Sequence, residues 1–158
     1  MKALLRLFDA WVAQNRPVLQ SLLQPGERLC GEWMAMAIGT TYDTSHSGFA
    51  PFIAFDLFRE NKRVLTDEFV ARVTSHDLPL RHCLHDGAEA LSLDLIVERL
   101  GTYGHHGALE PVEGAIWRVE REGRVDFLAK YVHPHKIDGK YLPSEETGAQ
   151  AIYYWEPG

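Results

Sequence analysis

The run Phe52-Ile53-Ala54-Phe55-Asp56-Leu57-Phe58 sets the tightest limit on what this chain can fold into. It is apolar, rich in aromatic residues, and bounded by Pro51 on one side and Arg59-Glu60-Asn61 on the other. So short a run, closed off on both sides, predicts a buried strand. A lone aspartate in such a strand costs free energy unless it is paired. Asp56 is therefore a candidate for a buried hydrogen bond or for positioning a metal-bound water.

Around this strand the periodicity changes along the chain. Leu4, Leu5, Leu7, Phe8, Trp11 and Val12 recur at helical spacing, with Lys2, Arg6 and Asp9 between them, which predicts an amphipathic helix. Pro17 opens a second short helix through Leu23, stopped by Pro25-Gly26. Residues 28–36 read as a strand with imperfect alternation, and 40–48 as a polar connection. Thr66 is expected to cap a short helix over 67–73; residues 74–90 read as loop. A helix is expected over 92–100, with Gly101 as its stop. Residues 115–119 and 125–132 read as a hairpin turning at Glu122-Gly123. A further strand or an extended tail is expected at 151–155. Helices and antiparallel strands in blocks, without βαβ alternation, predict an α+β fold. The expected organisation is one domain over 1–158: a helical lead-in at 1–25, a sheet region at 27–142 and a tail at 143–158.

The formal net charge of −6 argues against a broad basic surface that binds nucleic acid without regard to shape, and leaves room for a local basic groove. Cys30 and Cys83 belong to no C-x-x-C pair and read as two buried, reduced thiols. The histidines at 82 and 85, 105 and 106, and 133 and 135 lack a full zinc ligand set and read as solvated loop residues. There is no G-x-S-x-G and no phosphate-cradling glycine loop. No apolar run reaches the roughly 18 residues of a membrane span, and Arg6 and Asp9 interrupt the first segment, so a cytoplasmic, non-membrane protein is expected.

Four segments stand in a telling order: Gly31-Glu32-Trp33, Phe52-Ile53-Ala54-Phe55-Asp56, Glu113-Gly114-Ala115-Ile116-Trp117-Arg118 and Phe127-Leu128-Ala129-Lys130-Tyr131. Each is weak alone. In this order, each on a predicted strand, they resemble the strand motifs of the covalent nucleotidyltransferases, and the ATP-dependent RNA ligases fit best. The resemblance implies an antiparallel-sheet nucleotidyltransferase domain, an ATP-grasp-like ligase adenylation fold, with flanking helices. It implies ATP and Mg2+ as cofactors, and ATP or AMP and RNA ends bearing a 5′-phosphate as partners. It also implies roles. Glu32 matches the carboxylate at the adenosine ribose, and Phe55 the aromatic that stacks on adenine. Glu113 matches the catalytic carboxylate at the metal, and Lys130 the catalytic lysine that holds the α-phosphate.

The sequence departs from that family's pattern in three places. The nucleophilic lysine belongs in a Lys-x-Asp-Gly motif well before the Gly-Glu strand. The only lysine before Gly31 is Lys2, followed by Ala-Leu-Leu. The expectation is thus an N-terminally incomplete domain, a pseudoenzyme or a partner in RNA repair whose lysine comes from a missing segment or another chain. Lys136-Ile137-Asp138-Gly139 spells the motif but follows Lys130; it reads as a surface turn with Asp138-Gly139 as turn residues. Val132 stands where a second cation of the last motif is expected, with His133 or Lys136 as substitutes, and Ile38 stands where a histidine is expected. Two other readings stay open: a non-catalytic nucleotide- or RNA-end-binding module, and a small α+β interaction domain.

Overall fold

The computed structural model describes residues 2–102 and 104–158, with the side chains of residues 2 and 3 left aside. Lys2, placed above within the amphipathic pattern, therefore lies outside the described side chains. The chain runs α1 (Lys2–Gln14), α2 (Arg16–Leu22), β1 (Glu27–Trp33), β2 (Phe52–Arg59), β3 (Lys62–Arg63), α3 (Thr66–Thr74), α4 (Leu93–Leu100), β4 (Gly114–Arg121) and β5 (Arg124–Val132). These elements make an α+β fold with two small antiparallel sheets, ordered β1-β2-β3 and β4-β5. No described helix is long and apolar enough to cross a membrane.

The central strand carries a bulge. Cys30 pairs with Asp56 while the next residue, Gly31, pairs with Ala54, so Phe55 has no opposite residue of its own. An extra residue shifts the pleat by one and re-aims side chains. Phe52 and Ala54 face the core before the bulge, and Leu57 faces it after. Asp56 is thereby turned out of that core towards β3 and β4, where Arg63 and Arg118 hold it at 2.6 and 2.9 Å. Its burial is explained by this double ion pair.

Gly31 sits beside the bulge because nothing larger fits. A Cβ there would collide with the Phe52 ring and the Ile53 carbonyl oxygen. Over the same sheet face α1 lays Phe8 and Trp11 against Trp33 and Phe52, with Trp11 and Phe52 ring centroids 4.7 Å apart. Leu22 of α2 and Phe69 and Val73 of α3 complete the core. Burying such side chains is worth about 1.5–3 kcal/mol each, so this layer carries much of the stability.

The second sheet is a hairpin whose turn residues, Glu122 and Gly123, both have positive φ (52° and 71°). That geometry matches the strand twist and favours glycine. The hairpin is fastened to the first sheet by Arg118 at Asp56 and to α3 by Glu120, whose carboxylate accepts from the Thr66 amide and hydroxyl.

Several expectations need correction. Thr66 is the first residue of α3 and not its cap; Leu65 holds the cap position, and Glu120 satisfies the Thr66 amide from across the interface. The first strand ends at Trp33. Beyond it, Met34–Ala37 stays buried, and its backbone bonds to Pro51, Ile152 and Tyr154. Residues 151–155 pair only through a single bridge, Met36 with Tyr153. The two thiols are free, but Cys30 is half-buried and Cys83 is exposed, because Cys83 lies in the connection between α3 and α4. The short strand β3 had no signal beyond two basic residues.

Candidate functional site

Glu32, Phe55, Glu113 and Lys130 come from four separate strands or strand entries, and all line one open cavity of about 540 Å³. That volume is ordinary for a small-molecule site. Each is placed by a local device. The bulge presents Phe55, which is 42% exposed at the cavity although its neighbours in β2 are mostly buried. Glu32 follows Gly31 at the end of β1, next to the bulge. Gly114 lets β4 approach β5 closely, since a Cβ there would strike the Tyr131 carbonyl, and this sets Glu113 at the strand entry. Lys130 pairs with Ile116 across the hairpin and lines the cavity from β5.

The polar side of the cavity is a small charge network. Lys136 Nζ lies 2.8 Å from Glu113 Oε2 and 3.1 Å from Asp138 Oδ1. Both contacts push the lysine's pKa up, Glu113 foremost. Glu32 reaches water through the mouth, yet the surrounding wall takes away part of its hydration. That loss, with the nearby Glu113 charge, raises its pKa, while Lys136 and Lys130 oppose the rise. Tyr42, also in the wall, is pushed up to about 12 by burial and by the Glu32 and Glu113 charges.

Glu110 ties this wall together. Its carboxylate accepts from the Thr41 amide and hydroxyl and from the Tyr141 hydroxyl. Burial pushes its pKa up, but these hydrogen bonds outweigh burial and hold it low. The residue 38–42 segment, the approach to β4 and the loop after β5 are thus joined at one carboxylate. Backbone bonds from His133 to Glu113 and from Tyr141 to Ile38 reinforce the same seam.

Sequence reasoning placed Lys136 on the surface. Asp138 and Gly139 do form a turn, with Gly139 at φ 68°, but the Lys136 side chain turns inward and only 21% of it is exposed. Its signal was visible in the Lys-Ile-Asp-Gly spelling, and chain order was the reason for discounting it. Ile38 does line the cavity, and Val132 is exposed. Tyr42 and Arg81 also line the cavity, and neither stood out in the sequence. No group of three His, Cys, Asp or Glu among the described residues is arranged to hold a metal. A magnesium ion needs less, since it commonly takes one or two carboxylates and completes its shell with phosphate and water. Glu113, nearly half exposed, fits that need.

The sequence pattern of a known family, described as RNA ligase, matches residues 2–132. The chain belongs to the RNA ligase family. The match covers α1 through β5 and so includes every strand that feeds the cavity. Neither a curated protein nor a solved structure gives a significant match. For an RNA ligase family member, use of ATP is the expected chemistry, and the cavity is where the four strand segments meet.

Proposed function

We propose that the cavity binds ATP or AMP as part of sealing RNA ends that carry a 5′-phosphate. The observation that carries this reading is the convergence of Glu32, Phe55, Glu113 and Lys130 on one concave surface in an RNA ligase family member. Phe55 offers an exposed aromatic face for the adenine; stacking of this kind is worth about 1–3 kcal/mol. Glu32 accepts a hydrogen bond from the ribose, and its partial desolvation strengthens that bond. Lys130 supplies positive charge at the α-phosphate, and a cation in a partly dry site counts for more than in water. Glu113 would hold a magnesium ion, which would supply neutralisation of phosphate charge.

The chain by itself binds nucleotide without joining to it. Forming a lysyl adenylate requires an unprotonated amine to attack the α-phosphorus as pyrophosphate leaves and the amine's proton departs. Among the described residues, the lysines in the cavity wall are Lys130 and Lys136. Lys136 is engaged by two carboxylates, Glu113 at 2.8 Å and Asp138 at 3.1 Å, which tie its amine to the wall and oppose loss of the proton the attack requires. The lysine would come from another segment or a partner chain. Incubation with α-labelled ATP and magnesium, followed by a denaturing gel, tests this. The expected result is nucleotide retained under native conditions and no labelled band after denaturation. A covalent band that disappears in Lys136→Ala would overturn it and make Lys136 the nucleophile.

A further inference from the structure

We infer that Arg81, His82 and His105 form a second anion site in the cavity wall, built to hold a phosphate group separately from the Lys130 region. The backbone places the arginine. Residues 79–81 run beside β2 at the bulge, with the Ala54 amide donating to the Pro79 carbonyl and the Arg81 amide to the Ala54 carbonyl, both at 2.8 Å. The Arg81 guanidinium lies over the Phe69 ring at 4.8 Å and donates to the Phe55 carbonyl. No carboxylate among the described residues pairs with it. A guanidinium set into a wall without a counter-ion is costly, and a phosphate from outside would relieve that cost.

Two imidazoles stand beside it. His82, the next residue, stacks on His105 with ring centroids 3.4 Å apart and planes 16° from parallel. Both line the same cavity, as does His106, whose Nε2 is buried without a hydrogen-bond partner. His106 Nδ1 is already engaged with the Gly48 carbonyl. Four nitrogen-bearing side chains therefore line one cavity, and the arginine among them makes no ion pair among the described residues. Burial and the neighbouring His82 and His106 hold the His105 pKa low, which an adjacent anion would reverse.

The ligand is a phosphate of either a 5′-phosphorylated RNA strand or the outer phosphates of the nucleotide. This inference rests on the reading above, which supplies both sources. The test measures binding of four probes by fluorescence or calorimetry: AMP, ATP, a short RNA with a 5′-phosphate, and the same RNA with a 5′-hydroxyl. The wild type is compared with Arg81→Gln, which removes the charge and keeps a polar amide, and with His105→Ala at an exposed position. A strand site predicts that both variants weaken the 5′-phosphate RNA about tenfold and leave the 5′-hydroxyl RNA and AMP unchanged. A nucleotide site predicts the same loss for ATP and none for AMP. Unchanged binding of both ATP and 5′-phosphate RNA in both variants overturns the inference, as does an equal loss for all four probes. If the wild type binds no AMP but loses its 5′-phosphate preference in the variants, the anion site stands and the nucleotide reading falls.

Discussion

The Lys136 ammonium lies 2.8 Å from the Glu113 carboxylate, joining the loop after β5 to the entry of β4 inside the cavity. Lys136 also lowers the Glu32 pKa against the upward push of burial and of Glu113. Replacing Lys136 by alanine should therefore raise the Glu32 pKa further, read by NMR titration of the Glu32 carboxyl. Stability should fall by about 1 kcal/mol or less, since the pair is partly solvated. A Glu32 pKa that drops or stays fixed would show that the two groups do not share a field.

Gly31→Ala should destabilise the fold by about 1–3 kcal/mol, because the added methyl must displace the Phe52 ring or the β2 backbone. Chemical denaturation measures it. The same change should weaken nucleotide binding, since the displaced strand carries Phe55. A neutral substitution would mean that the bulge is looser than the geometry requires.

Glu27 gives a clear pH signature. Arg72 grips its carboxylate through both oxygens at 2.9 and 2.7 Å and, outweighing burial, holds its pKa at about 2, below the ordinary 4.5. A carboxyl depressed in the folded state adds stability that is complete above its unfolded pKa and is lost as pH falls through the folded one. Melting temperature should thus decline between about pH 5 and pH 2, and Arg72→Ala should remove most of this dependence. At neutral pH that variant should lose about 2–3 kcal/mol, because the Glu27 side chain is only 1% exposed and would keep only the more exposed Arg59 as a charged partner. A flat acid profile in the wild type would contradict this account.

Asp56 tests the link between the sheets. Asp56→Ala takes the buried carboxylate from both Arg63 and Arg118, leaving Arg118, only 12% exposed, with Glu120 alone, and should cost about 3 kcal/mol in denaturant unfolding. The double variant Asp56→Ala with Arg118→Met should recover part of the loss. Additive losses would mean that the two residues do not act as a pair.

These particulars show what the sequence could and could not carry. The aromatic run around Phe55 announced a buried strand, and the hairpin turn was legible because Glu122-Gly123 stands between two apolar runs. The unusual Asp56 was recognisable, but its partners Arg63 and Arg118 lie 7 and 62 positions away, and only folding brings them together. The bulge was invisible, because a skipped pairing depends on register and not on composition. Thr66 looked like a cap because capping is local, whereas its actual partner, Glu120, is 54 residues distant. Arg81 was obscured for a related reason: a loop arginine gains meaning only from what it packs on in space, here the Phe69 ring and the Phe55 carbonyl.

The most direct test of the account is the melting temperature of the chain with and without millimolar ATP and magnesium, in the wild type, Phe55→Ala and Lys130→Ala. A ligand selective for the folded state must stabilise it. The account predicts a rise of several degrees in the wild type that is abolished in each variant. Phe55→Ala and Lys130→Ala should themselves melt close to the wild type without ATP, because both side chains are exposed. No rise in the wild type, or a rise that persists in both variants, would contradict the nucleotide site.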